Sequence, residues 1–110
     1  MQYVYNKALT NRRTDLIKSI MAHITDGITA EYYLTASPNE ENDDKSYSIG
    51  ISLYSEGKFI LRETASNVAN SRERAEIILD TLVKYTVTPE ALTDTLESVY
   101  DLIDSQNEHL

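Results

Sequence analysis

The residues of this 110-residue chain whose types could do chemistry are two histidines, a strand serine, a ladder of carboxylates and two arginines at a helix start. His23 and His109 stand far apart, with no His-x-x-x-His or His-Glu-x-x-His spacing, whereas zinc needs three or four converging ligands. There is no Cys, which removes disulfides, thiolate metal sites and a thiol nucleophile. Gly27, Gly50 and Gly57 never cluster, so no phosphate-cradling loop can form. The run Gly50-Ile51-Ser52-Leu53-Tyr54 matches half of a nucleophile elbow. It lacks the second glycine and reads as a strand, not a strand-to-helix turn, so Ser52 is expected to be structural.

Two charged groupings ask for more. Glu90, Asp94, Glu97, Asp101, Asp104 and Glu108 recur at three- and four-residue spacing and share one helix face. A hard cation needs oxygens from several elements, so a solvated helix face is the simpler expectation. Glu40, Glu41, Asp43 and Asp44 lack the spacing of a calcium loop. Arg72 and Arg74 fall in a first helical turn, where the macrodipole disfavours cations. An internal carboxylate (Glu73, Glu76, Asp80 or one on the sheet) or a bound anion must offset them. Arg72 and Arg74 are therefore candidates for anion binding, with an internal salt bridge as the plainer alternative. No catalytic set, metal or cofactor is expected.

These side chains are carried by elements that hydropathy periodicity outlines. Tyr47, Ile49, Ile51 and Leu53 alternate with Ser46, Ser48, Gly50, Ser52 and Tyr54, predicting a strand with one apolar face and one small, polar face. Ser55-Glu56-Gly57 turns it into a second strand, 58–64. Upstream, Asp26-Gly27 offers the two positive-φ positions of a type I′ hairpin turn between strands near 18–25 and 28–36. A competing pattern exists: Leu9, Leu16, Ile17, Ile20, Met21 and Ile24 also fit a helix over about 11–24, with Gly27 closing it. Ser37-Pro38 ends the hairpin, and 38–45 reads as an acidic loop.

From Asn70 the period becomes 3.6. Asn70 with Glu73, or Ser71 alone, caps a helix over 71–85 with Ala75, Ile78, Leu79, Leu82 and Val83 on one stripe. Thr88-Pro89-Glu90 starts a second helix, running to about 104 on Leu92, Leu96, Val99 and Ile103. The expected architecture is α+β: one domain with an ill-defined arm (1–16), an antiparallel meander of three to four strands (17–66), two helices (70–104) packed on one face, and a tail (105–110).

Charge bounds the partners. With 10 basic against 18 acidic residues the net charge is −8, and residues 88–110 hold no Lys or Arg at all. Only the first twenty residues, with Lys7, Arg12, Arg13 and Lys18, are basic. Such a surface repels phosphate backbones, so nucleic acid is not an expected partner. No apolar stretch is long enough to span a membrane and no secretory signal is evident, which makes the cytoplasm the expected setting.

The stretch from Asp26-Gly27 through Tyr32-Tyr33-Leu34 and Tyr47-Ser-Ile-Gly-Ile-Ser to SRERAEIILDTLVKYTVTPEALTDTLESVYDLI resembles a family of short uncharacterised proteins from clostridium-type bacteria, a domain of unknown function. The likeness covers roughly residues 26–104, densest at Ser71-Arg72-Glu73-Arg74 and Val87-Thr88-Pro89-x-x-Leu92-x-Asp94. It implies the hairpin and a bacterial cytoplasmic setting, and no activity.

The eight tyrosines, against one Phe and no Trp, pair apolar rings with polar tips suited to interfaces. Two helices cover only one sheet face, so Tyr32, Tyr33, Tyr47 and Tyr54 are the expected contacts of an interaction module that homodimerises, or binds another protein, through the other face or an edge. Tyr32 and Tyr33 must point to opposite faces.

Overall fold

The computed structural model describes residues 14–38 and 45–108. Lys7, Arg12, Arg13, the loop acids 40–44 and His109 lie outside them. Four strands, β1 (Asp15–Thr25), β2 (Ile28–Pro38), β3 (Lys45–Ser55) and β4 (Lys58–Ala69), form one antiparallel sheet in chain order. Two helices follow: α1 (Arg72–Lys84) and, after a short 3-10 turn (Pro89–Ala91), α2 (Leu92–Glu108). The architecture is the expected α+β meander with two C-terminal helices.

The hairpin reading of residues 15–38 prevails over the helical one. The helix-like spacing in β1 comes from a register shift between Leu16 and Lys18. That bulge lets Lys18, Ile20 and Ala22 face the helices, opposite Leu34, Tyr32 and Ala30, while Leu16 and Met21 point the other way. A strand carrying apolar groups on both faces, with one slip of register, imitates a 3.6-residue period.

The type I′ expectation belongs to the other hairpin. At Asp26-Gly27 only the glycine has positive φ (73°), and β1 shifts register beside it. At Glu56-Gly57 both residues are positive, at 50° and 80°. The two turns are joined where the Glu56 amide donates to the Gly27 carbonyl at 2.7 Å. β4 also runs to Ala69, past the expected end at 64, through Asn67 at φ 54°.

The core lies between the sheet and the helices. From β2 and β3 it takes Ala30, Tyr32, Leu34, Ile49 and Ile51, all fully buried. Against them sit Ala75, Ile78, Leu79 and Leu82 of α1, and Leu92, Leu96, Val99 and Ile103 of α2. These are the two predicted helical stripes. Burying each large aliphatic side chain contributes about 1.5–3 kcal/mol. Ser71 is the N-cap of α1, its Oγ accepting from the Arg74 amide at 3.2 Å. The start of the second helix differs from expectation: Thr88 makes no side-chain cap bond, Pro89 opens the 3-10 turn, and the α-helix begins at Leu92 and continues through the expected tail to Glu108.

Between the helices, Thr86 adopts φ 46°, and the Thr86 and Val87 amides donate to the carbonyls of Val83 (3.0 Å) and Leu82 (3.1 Å). This is a Schellman closure with threonine where glycine is usual. It delivers the Val87 carbonyl to the Tyr32 hydroxyl, 2.9 Å away.

Candidate functional site

Opposite the helices the sheet presents a face that no element of the described residues covers. Its side chains follow from the register in cross-strand rows. One row is His23, Thr29, Tyr54, Phe59; the next is Met21, Glu31, Ser52, Arg62; the third is Ser19, Tyr33, Gly50, Thr64. Beyond them, Leu16 lies opposite Thr35, and Thr35 opposite Ser48.

The central strand has small residues here, and larger neighbours lean over them. The Tyr33 ring lies across Gly50, filling the space that a Cβ there would need. The Arg62 guanidinium stands over two rings, 5.7 Å from the Tyr33 centroid and 5.5 Å from that of Phe59. Its Nε donates to Ser52 Oγ at 2.8 Å. Phe59 meets Tyr54 edge-on, with centroids 6.0 Å apart. Glu31 accepts from Ser19 Oγ at 2.9 Å and from the Tyr54 hydroxyl at 3.3 Å. Ser52 is thereby fully buried although it lies on the uncovered side. Its oxygen is an acceptor beneath an arginine, which suits a structural part and leaves it far from nucleophilic duty.

Charge is divided unequally between the two layers. Among the strand positions whose side chains point to the uncovered face, Glu31 and Arg62 carry the only formal charges, and both are tied into the face by hydrogen bonds. Residues 70–108, the helical layer, hold nine acids against three bases. Exposed apolar side chains occur on both layers: Leu16 (63% exposed), Met21 (60%) and Phe59 (56%) on the uncovered side, and Ile77, Tyr85 and Leu102 on the helical one.

The four expected interface tyrosines separate into two pairs. Tyr33 and Tyr54 are on the uncovered face. Tyr32 is not available to a partner, because period-2 alternation sends it under the helices, where it is fully buried. Burial raises its hydroxyl pKa above the ordinary phenol value. Tyr47 shares the helix side and packs against the core. Glu31, Gly50, Phe59 and Arg62, which complete the cluster, had not been singled out from sequence. The signal was the run of small residues Ser48, Gly50 and Ser52, which neighbouring strands had to roof over.

The two candidate anion-binding arginines both have carboxylate partners. Arg72 Nε donates to Glu76 at 2.7 Å, and that hydrogen bond holds the Glu76 carboxyl below its ordinary pKa. Arg74 donates to Asp104 of α2 at 3.1 Å and stands 5.9 Å from the centre of the Tyr100 ring. The carboxylates thus supply the offset that the helix dipole demanded. An open depression of about 420 Å³ beside α1 is lined by Arg72, Glu73, Glu76, Ile77 and Asp80, an acid-rich wall. Lys18 of β1 reaches Asp80 at 3.3 Å. Among the described residues no group of three or more His, Cys, Asp or Glu converges as a metal site, and no helix is long and apolar enough to cross a membrane.

A family model described as a family of unknown function (DUF6514) matches residues 13–104, and the chain belongs to that family. The match takes in all of β1, upstream of the resemblance read from sequence. Neither a curated protein nor a solved structure shows a significant match to the chain.

Proposed function

We propose that this family member is a non-enzymatic interaction module that homodimerises through the uncovered face of its sheet. The observation that carries the reading is the composition of that face. Tyr33, Tyr54, Phe59, Met21 and Arg62 gather there, and formal charge is confined to one acid and one base. Enrichment in aromatics, Met and Arg with depletion of other charges is what distinguishes the centre of a protein interface from ordinary surface. The acidic helical layer on the far side keeps the assembly soluble and deters phosphate backbones. A bacterial cytoplasmic setting accords with this reading.

The test is size-exclusion chromatography with light scattering from about 1 to several hundred micromolar, the range in which an association of about −8 to −5 kcal/mol shows itself. A dimer that Tyr33→Glu dissociates supports the proposal. A monomer throughout that range overturns it.

A further inference from the structure

We infer that the basic N-terminal arm, residues 7–13, docks on the outward face of α1 in its own chain, with Lys7, Arg12 and Arg13 against Glu73, Glu76 and Asp80 and Leu9 on Ile77. The inference stands apart from the dimer, whose sheet face lies on the other side of the molecule. Residues 1–13 precede the described structure and hold three bases and no acid. Where they join the sheet is fixed. Thr14 and Ser37 share a hydroxyl–hydroxyl hydrogen bond of 2.9 Å, and Asp15 pairs with Ala36. Ala36 pairs in turn with Tyr47, and Tyr47 with Ala69, two residues before the Ser71 cap of α1. The arm therefore enters at the end of the sheet where α1 begins. From that end β1 and α1 run in the same direction, and Lys18 of β1 reaches Asp80 at 3.3 Å. Leu9 is five residues before Thr14, a reach of up to about 17 Å. The helix face from Arg72 to Asp80 spans only about 12 Å.

The receiving face matches in charge and pattern. The depression of about 420 Å³ beside α1 has Glu73, Glu76 and Asp80 as its acids and Arg72 as its one base, with Ile77, 45% exposed, among them. Glu76 and Asp80 are i, i+4 neighbours, like charges whose repulsion a cation relieves. Arg72 and Lys18 take up part of this charge, yet residues 70–108 still hold nine acids to three bases. In the arm, Leu9 stands between Lys7 and the Arg12-Arg13 pair, an apolar residue flanked by bases. On α1 the pattern is inverted, an apolar residue flanked by acids. Complementary charge of this kind fixes the register of a contact and rejects wrong partners.

The arrangement is tested on the full chain. With no native cysteine, Ala8→Cys carries a single nitroxide label, and paramagnetic broadening of backbone amides reads its position. The amides of residues 73–80 are expected to lose most of their intensity, and those of the uncovered sheet face to keep theirs. Adding Lys7→Glu, Arg12→Glu and Arg13→Glu to the labelled chain should restore the lost intensity. So should raising salt from about 0.1 to 1 M, which shortens the screening length from about 10 to 3 Å. Broadening centred on the uncovered sheet face, or spread evenly over both layers, overturns the inference. A pattern indifferent to the charge reversal does the same. A mixture of isotope-labelled chains lacking the nitroxide with nitroxide chains lacking the isotope separates one copy from another. Weak broadening of α1 in that mixture supports docking within one chain; broadening as strong as in the single chain assigns the arm to a second copy and overturns it.

Discussion

The hydroxyl of Tyr32 donates to the main-chain carbonyl of Val87, 2.9 Å away and 55 residues along the chain. One polar tip on a fully buried ring thus joins the middle of the sheet to the segment linking the helices. Removing it in Tyr32→Phe leaves a buried carbonyl short of a donor, at an expected cost of about 1–2 kcal/mol. Urea unfolding should show a lower midpoint with an unchanged slope. Dimer affinity should stay as it was, since Tyr32 lies on the helix side.

Alkaline pH should expose the same contact. Burial raises the pKa of Tyr32, and burial also raises that of Tyr100, whose hydroxyl donates to the Val68 carbonyl at 3.0 Å. A phenol held protonated in the native state adds stability that is fully present below the unfolded value of about 10 and is lost as pH rises through the raised native values. Stability is therefore expected to fall from about pH 10 upward. Replacing both tyrosines by Phe should flatten that limb; an unchanged alkaline profile would contradict the assignment.

The two ends of α1 respond with opposite signs. Ser71→Ala removes the cap bond to the Arg74 amide and should cost about 1 kcal/mol. Thr86→Gly relieves a β-branched residue of left-handed geometry, whose cost is about 1–2 kcal/mol, while keeping the Schellman bonds. Part of that gain is offset by the greater freedom of glycine in the unfolded chain, leaving about 1 kcal/mol of stabilisation. Thermal melts of the two variants should move in opposite directions.

Gly50→Ala separates association from stability. The added methyl occupies the space of the Tyr33 ring, which must swing away and give up its place beneath Arg62. The ring is at the surface, so folding should change by less than about 1 kcal/mol, the scale of one exposed cation–π contact. The face itself is remodelled, and dimer affinity should drop. Near-ultraviolet circular dichroism reads the ring, and light scattering the assembly; no change in either would refute the role given to Tyr33.

Much of the site was half visible before the fold. Tyr33 and Tyr54 were identified because tyrosine has a chemical signature that needs no neighbour. Tyr32 and Tyr47 were grouped with them because residue type says nothing about which face the helices choose. Arg62 stayed hidden in Lys58-Phe59-Ile60-Leu61-Arg62, where the β4 register shift breaks strict alternation. Its value arises only from Tyr33 and Ser52, 29 and 10 positions earlier in the sequence. The Arg72 and Arg74 problem was posed correctly by the helix dipole, yet one of its two answers, Asp104, sits 30 residues away.

Local chemistry alone determined the strand-rich first half, a polar cap at Asn70 or Ser71, the apolar stripes of both helices and the absence of thiol chemistry, since each depends on residues within a few positions of one another. Tertiary packing decided which tyrosines face outward, where the type I′ turn lies and how β1 accommodates its bulge. Those outcomes depend on register between strands distant in sequence, and a slip of one residue reverses every side chain on a strand. The pairing of Glu31, Ser52 and Arg62 in one row is of that second kind: three strands had to align before an acid and a base could share a face.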